Sequence, residues 1–182
     1  MFVSAFHGEK LVREFSYKGI EMQLVSCPQS IWCGALGYAQ NSAEEPDIGG
    51  LLNRYQQQCA VEKRERTDAA WSCCISIDYW QQGAVPRGMM FAQQVLTAQQ
   101  DAVYDVYEMP ESLFVRVAPT RENAQAAFGR ETCELYELFG VVRDALVTQG
   151  LEFNGSGAQE TEMYNHAAGL SFAYVPVKQA DR

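Results

Sequence analysis

Histidine is nearly absent from this chain: His7 and His166 are the only two among 182 residues. Six cysteines are present (Cys27, Cys33, Cys59, Cys73, Cys74 and Cys133), but no pair has C-x-x-C spacing. A structural zinc site needs Cys and His ligands clustered at short intervals, so no metal is expected. A bridge between adjacent Cys73 and Cys74 would close a strained ring, so these thiols are expected to be small apolar core groups in a reducing cytoplasm. Neither histidine stands in a recognisable catalytic context, which argues against a nucleophilic cysteine. Long apolar runs are missing too, and no stretch is long enough to span a bilayer. The first fifteen residues lack a basic segment followed by an apolar one, so no signal peptide and no membrane partner are expected.

Positive charge is also scarce. Fourteen Lys and Arg face 23 Asp and Glu, giving a net charge of −9 and a pI near 4.7. Such a chain repels phosphate backbones, so no nucleic-acid partner is expected unless a local basic patch exists. The densest run, Glu62-Lys63-Arg64-Glu65-Arg66, alternates in sign and reads as a solvated helix end with local ion pairs. What the chain does have is apolar material: 47% hydrophobic and 12% aromatic residues, sufficient for a core and against disorder.

Periodicity places the elements. Residues 1–19 form an extension in which Leu11 to Tyr17 fits a short strand or a helical turn; it is too short for a helix-turn-helix module. Ile20, Met22 and Leu24 alternate with Glu21 and Gln23, a half-buried strand. A second strand runs from Ile31 to Tyr38, and the spacing of Ile48, Leu51, Leu52, Tyr55 and Cys59 predicts an amphipathic helix reaching to about Glu62. Trp71 to Trp80 and Gly88 to Thr97 are β-rich, with a turn at 81–87. The order then restarts: strands at Ala102 to Glu108 and Leu113 to Ala118, a polar loop over 119–130, and a helix marked by Leu135, Leu138, Phe139, Val142, Ala145 and Leu146 and stopped at Gly150. Two strands close the chain, Glu160 onward and Leu170 to Val177.

This recurrence extends to single residues. Pro28-Gln29-Ser30-Ile31-Trp32 aligns with Pro110-Glu111-Ser112-Leu113-Phe114, Leu52, Tyr55 and Cys59 align with Leu135, Leu138 and Val142, and Gly88-Met89-Met90-Phe91-Ala92 aligns with Gly169-Leu170-Ser171-Phe172-Ala173, at shifts of 82, 83 and 81. The expected fold is therefore α+β, with tandem strand–strand–helix–strand–strand units, repeat one at 20–97 and repeat two at 101–178, their antiparallel sheets surrounding a central ligand pocket.

The repeat, the Pro-x-Ser strand openers, Glu162-Met163-Tyr164 and the terminal Tyr174-Val175-Pro176-Val177 resemble the GyrI-like effector-binding domain, the ligand-binding half of many AraC-type and MerR-type regulators. The resemblance spans about Ile20 to Val177, and with no DNA-binding domain attached the chain is similar to free-standing, cassette-encoded members that bind cationic drugs. It implies a buried glutamate on the next-to-last strand, here Glu162, facing lipophilic cations, with Tyr174 of the last strand beside it. On the residues themselves, Glu160, Glu162 and Tyr164 share one strand face, and Glu160, nearer the turn, is expected to be the more solvated. Tyr164, Tyr174, Phe91, Trp71 and Trp32 complete the candidate ligand-binding set, each ring able to hold a cation by roughly 0.5–2 kcal/mol.

The expected function is thus a binding module, monomer or homodimer, for lipophilic, cationic, aromatic small molecules, with no cofactor. Two alternatives stand beside it. One is a hydrolase of electrophilic small molecules with Glu162 as base and Tyr164 as its partner. The other is a protein-binding module like the gyrase-inhibitory members.

Overall fold

The computed structural model describes residues 2–180 apart from Ala69 and Gln82. Met1 of the expected extension and Gln82 of the expected 81–87 turn lie outside the described residues. The described residues form ten strands and three α-helices: β1 Lys10–Tyr17, β2 Ile20–Cys27, β3 Ser30–Tyr38, α1 Ile48–Gln58, β4 Ser72–Ile77, β5 Gly88–Val95, β6 Asp105–Met109, β7 Ser112–Val117, α2 Arg121–Phe128, α3 Leu135–Leu146, β8 Leu151–Phe153, β9 Glu160–Asn165 and β10 Leu170–Gln179.

All the strands join one open antiparallel sheet in the order β1-β2-β7-β10-β9-β4-β5-β3-β6, with β8 beside the far end of β10. The expected α+β class and antiparallel pairing are what the structure shows, as one sheet throughout. Its order carries a symmetry. Pairing β2 with β6, β3 with β7, β4 with β9 and β5 with β10, as the sequence repeat does, makes the order read alike from either side of the β9–β4 seam. Each half lends its first strand to the other: β2 lies on β7 and β6 on β3.

The helices follow from apolar periodicity and caps. In α3 the residues Leu135, Leu138, Phe139, Val142, Ala145 and Leu146 are all buried, and Glu134 with Glu137 forms a capping box at its start. In α1 Asp47 accepts the Gly50 amide, and the helix ends at Gln58, short of the expected Glu62. α2 stands where a loop was expected. Its sequence is polar, but Thr120 caps it and Gly129, at φ 69°, stops it. No helix among the described residues is long and apolar enough to cross a membrane.

The sheet buries both faces. On the outer face Ile20, Met22, Leu24, Val115, Val117, Ala173 and Val175 pack under α3, while α1 covers β3 and β5. On the inner face Val25, Trp32, Cys73, Ile75, Met90, Phe114, Met163 and Tyr174 form a second core. The chain's own N-terminal segment fills this inner face. The Phe6 ring, 1% exposed, lies 4.8 Å from Tyr174, 5.2 Å from Trp32 and 5.6 Å from Phe114. Behind it the Glu9 carboxylate accepts from the Ala5 amide (2.7 Å), the Tyr174 hydroxyl (2.9 Å) and the Arg116 guanidinium (3.0 Å).

One position forbids any side chain. A Cβ on Gly34 of β3 would sit 1.9 Å from the Phe91 carbonyl oxygen and 2.7 Å from the Ala92 Cα, both backbone atoms of the paired strand β5. Gly34→Ala is expected to push β3 off β5 and to cost about 3 kcal/mol or more, read as a lower urea midpoint.

Candidate functional site

The sheet register decides which candidate residues can meet. Phe91 on β5 stands opposite Cys74 on β4, Cys74 stands opposite Glu162 on β9, and Glu162 stands opposite Ala173 on β10. Side chains opposite one another share a face, so Phe91, Cys74 and Glu162 lie abreast on the outer, helix-bearing side. Tyr164, two residues along β9, shares that face.

We call the strip of sheet above this row, between α1 and α3, the trough. α1 rests on β3 and β5, and α3 rests on β7, β9 and β10, so central β4 lies between the two helices. The residues that β4 turns outward are small: Ser72, Cys74 and Ser76. Tyr55 of α1 approaches Phe91 with ring centroids 6.5 Å apart, forming one wall. The other wall is Tyr164, which is stacked on His166 at 5.8 Å with the ring planes 8° apart.

Glu162 sits half-buried at the centre. The Tyr164 hydroxyl donates a hydrogen bond to its carboxylate. Burial holds the Glu162 carboxyl above its usual range, the Tyr164 hydrogen bond opposes this, and the negative charge of Glu134 adds to it. Burial and the same carboxylate push the Tyr164 phenol up, and burial with Glu162 does so for the Cys74 thiol. Among the described residues no Lys or Arg pairs with Glu162. Its neighbour two residues away contrasts with it: Glu160, expected to be solvated, is 5% exposed and ion-paired at 2.7 Å with Arg143 of α3.

The remaining candidates lie on the other side of the sheet. Tyr174, Trp32 and Trp71 are 0%, 0% and 5% exposed in the inner core. Tyr174 is engaged by Glu9 and Arg116, Trp32 donates to the Ser30 hydroxyl at 2.9 Å, and Trp71 stacks on Phe172 at 6.1 Å. The six residues therefore divide in two: Glu162, Tyr164 and Phe91 meet at the trough, whereas Tyr174, Trp32 and Trp71 pack around the N-terminal segment.

Sequence reasoning missed Tyr55 as a trough wall, and it missed the Glu9–Arg116 pair. Tyr55 was recognised only as a helix core position. Arg116, a lone cation in the apolar strand Leu113-Phe114-Val115-Arg116-Val117, was the available signal for a buried partner.

A cavity of about 460 Å³ opens elsewhere, beside Glu14, Glu21, Gln23, Glu122, Arg116 and Phe172. Its one aromatic ring, Phe172, already lies 4.3 Å from the Arg116 guanidinium, so that ring face is taken by a cation of the protein itself. Among the described residues no group of three His, Cys, Asp or Glu side chains could hold a metal ion.

No protein-family model matches the sequence, and no curated protein does. Solved structures with the same fold do exist. A putative transcription regulation protein from Staphylococcus aureus is 18% identical, with a TM-score of 0.59, over 88% of this chain and 99% of that one. SAV2435, solved bound to tetraphenylphosphonium, is 18% identical with a TM-score of 0.60 over 87% and 94%. An integron cassette protein from the mobile metagenome of Vibrio cholerae is 13% identical with a TM-score of 0.56 over 94% and 99%. The fold shared with these proteins is consistent with the GyrI-like resemblance.

Proposed function

We propose that this chain is a small-molecule-binding module that takes up lipophilic aromatic cations in the trough between α1 and α3, with Glu162 neutralising their charge. The observation that carries the reading is the state of Glu162. It is a half-buried carboxylate hydrogen-bonded to Tyr164, and among the described residues it has no cationic partner, whereas Glu160 beside it has Arg143. A carboxylate in that position gains most from a cation that brings its own apolar surface. The likeness to SAV2435 supports the same class of ligand, since tetraphenylphosphonium is a lipophilic aromatic cation.

In this reading the ligand's charge lies against Glu162 and its rings against Tyr164, Tyr55 and Phe91. The floor of that strip is β4, whose outward residues Cys74 and Ser76 are 7% and 8% exposed. Tyr174, Trp32 and Trp71 act indirectly, by holding the inner side of the strands that carry the site.

Calorimetric titration with tetraphenylphosphonium and with neutral triphenylphosphine oxide tests this. The cation is expected to bind at least ~10-fold more tightly, and Glu162→Gln to erase the difference, a loss of about 1.4 kcal/mol or more. Equal affinities, or an unaffected Glu162→Gln, would overturn the proposal. Recovery of chemically unchanged ligand by mass spectrometry separates binding from hydrolysis.

The pH dependence has a definite sign. A cation binds the charged carboxylate, so affinity is full above the Glu162 pKa and falls as pH drops through it. Because burial raises that pKa, the fall begins above the ordinary glutamate value of about 4.3. Tyr164→Phe removes the hydrogen bond that stabilises the charged form, so it is expected to move the fall to still higher pH.

A further inference from the structure

Among the described residues one buried cation pairs with no anion. Lys63, in the connection between α1 and β4, is 5% exposed. Its ammonium lies 4.5 Å from the centroid of the Tyr104 ring and 5.4 Å from that of Tyr55. Among the described residues its one hydrogen-bond partner is the Tyr104 hydroxyl oxygen, at a long 3.5 Å. That hydroxyl is turned toward the carbonyls of Gln58, at 2.6 Å, and Val61. Among the described residues no carboxylate forms an ion pair with Lys63 or with Arg66.

An ammonium has three N–H donors. Two ring faces and one long contact repay only part of the cost of its burial. Burial accordingly lowers the affinity of Lys63 for its proton, and Arg66 lowers it further, while the nearby Cys59 and Cys33 act the other way. Lys63 and Arg66 border the same cavity of about 320 Å³, together with Cys59, Val61, Glu62 and Gln93. A void of this size admits a small organic acid, and both basic residues belong to its lining.

We propose that this cavity binds a small oxyanion, the carboxylate or phosphate group of a small molecule, with Lys63 at its floor and Arg66 at its rim. Its lining shares no residue with the trough at Glu162, although Tyr55 packs on Lys63, and its ligand has the opposite charge. Glu62 also borders the cavity, and its negative charge keeps the affinity for anions low in the native chain.

Titration of the full chain with inorganic phosphate and with benzoate, followed by calorimetry, tests the proposal. Saturable binding of one probe is expected, and the tighter probe identifies the class of ligand group. Lys63→Met keeps the apolar stem without the charge and is expected to lose at least ~10-fold in affinity. Glu62→Gln is expected to gain about 2- to 3-fold, because it removes a like charge without touching the floor. Cation binding at the trough should be unchanged in Glu62→Gln, so failure here is distinguishable from failure there. No saturable binding of either probe, or equal binding by Lys63→Met, would overturn the proposal and leave Lys63 as a cation held by tyrosine rings alone.

Discussion

Glu9→Ala is expected to destabilise the protein by about 3–5 kcal/mol, a large share of the stability of an ordinary domain. The side chains of Glu9 and Arg116 are 0% and 2% exposed. Arg116 directs its guanidinium to Glu9 (3.0 Å), Tyr174 (3.0 Å), the Val3 carbonyl (2.8 Å) and Gln23 (2.8 Å), between the rings of Phe2 and Phe172 at 4.3 Å each. Removing the carboxylate leaves a guanidinium in the core with no counter-charge, and it strips the Tyr174 hydroxyl and the Ala5 amide of their acceptor. Glu9→Gln, which keeps an acceptor and loses the charge, should cost less. Replacing both partners by methionine should cost less than the sum of the single changes, with a coupling of about 0.5–3 kcal/mol. Urea denaturation of the four proteins measures this. Strict additivity would mean that the two charges do not sense one another.

That pair also shows where reading from sequence stopped. The strands of the second half were legible because one face alternated visibly, Glu160, Glu162 and Tyr164 against Thr161 and Met163; the order of the sheet, symmetric under the repeat pairing, was not. Which face was which was not legible. In β9 and β10 both faces are covered, so Met163 and Tyr174 are as deeply buried as Ala173 and Val175, and alternation carries no label for inner or outer. The Glu162–Tyr174 meeting expected from the resemblance fails for that reason: their parities place them on opposite sides. The charge run at 62–66 misled in another way. Glu62, Arg64, Glu65 and Arg66 are exposed as expected, but Lys63 turns inward under rings supplied by α1 and by Tyr104. Contacts between residues so distant in sequence leave no local pattern; Glu9 and Arg116 are 107 positions apart.

The N-terminal segment should be as much a part of the core as any strand, and Phe6→Ala measures this. The ring is 1% exposed and touches Trp32, Phe114 and Tyr174, themselves 0% exposed, so its removal opens a void lined by aromatic rings that cannot easily collapse. Truncations of this kind cost about 3–5 kcal/mol. The loss should appear as a lower urea midpoint with the slope unchanged, because one cooperative unit is weakened. The outcome bears on where ligands can enter. If Phe6 contributes at this level, the inner face is closed by folding itself, and the proposed cation binding is left with the outer strip at Glu162. If Phe6→Ala costs less than about 1 kcal/mol, the segment is only lightly held. The inner rings Trp32, Trp71 and Tyr174 would then become reachable, and tetraphenylphosphonium affinity in that variant should rise where closure predicts no change.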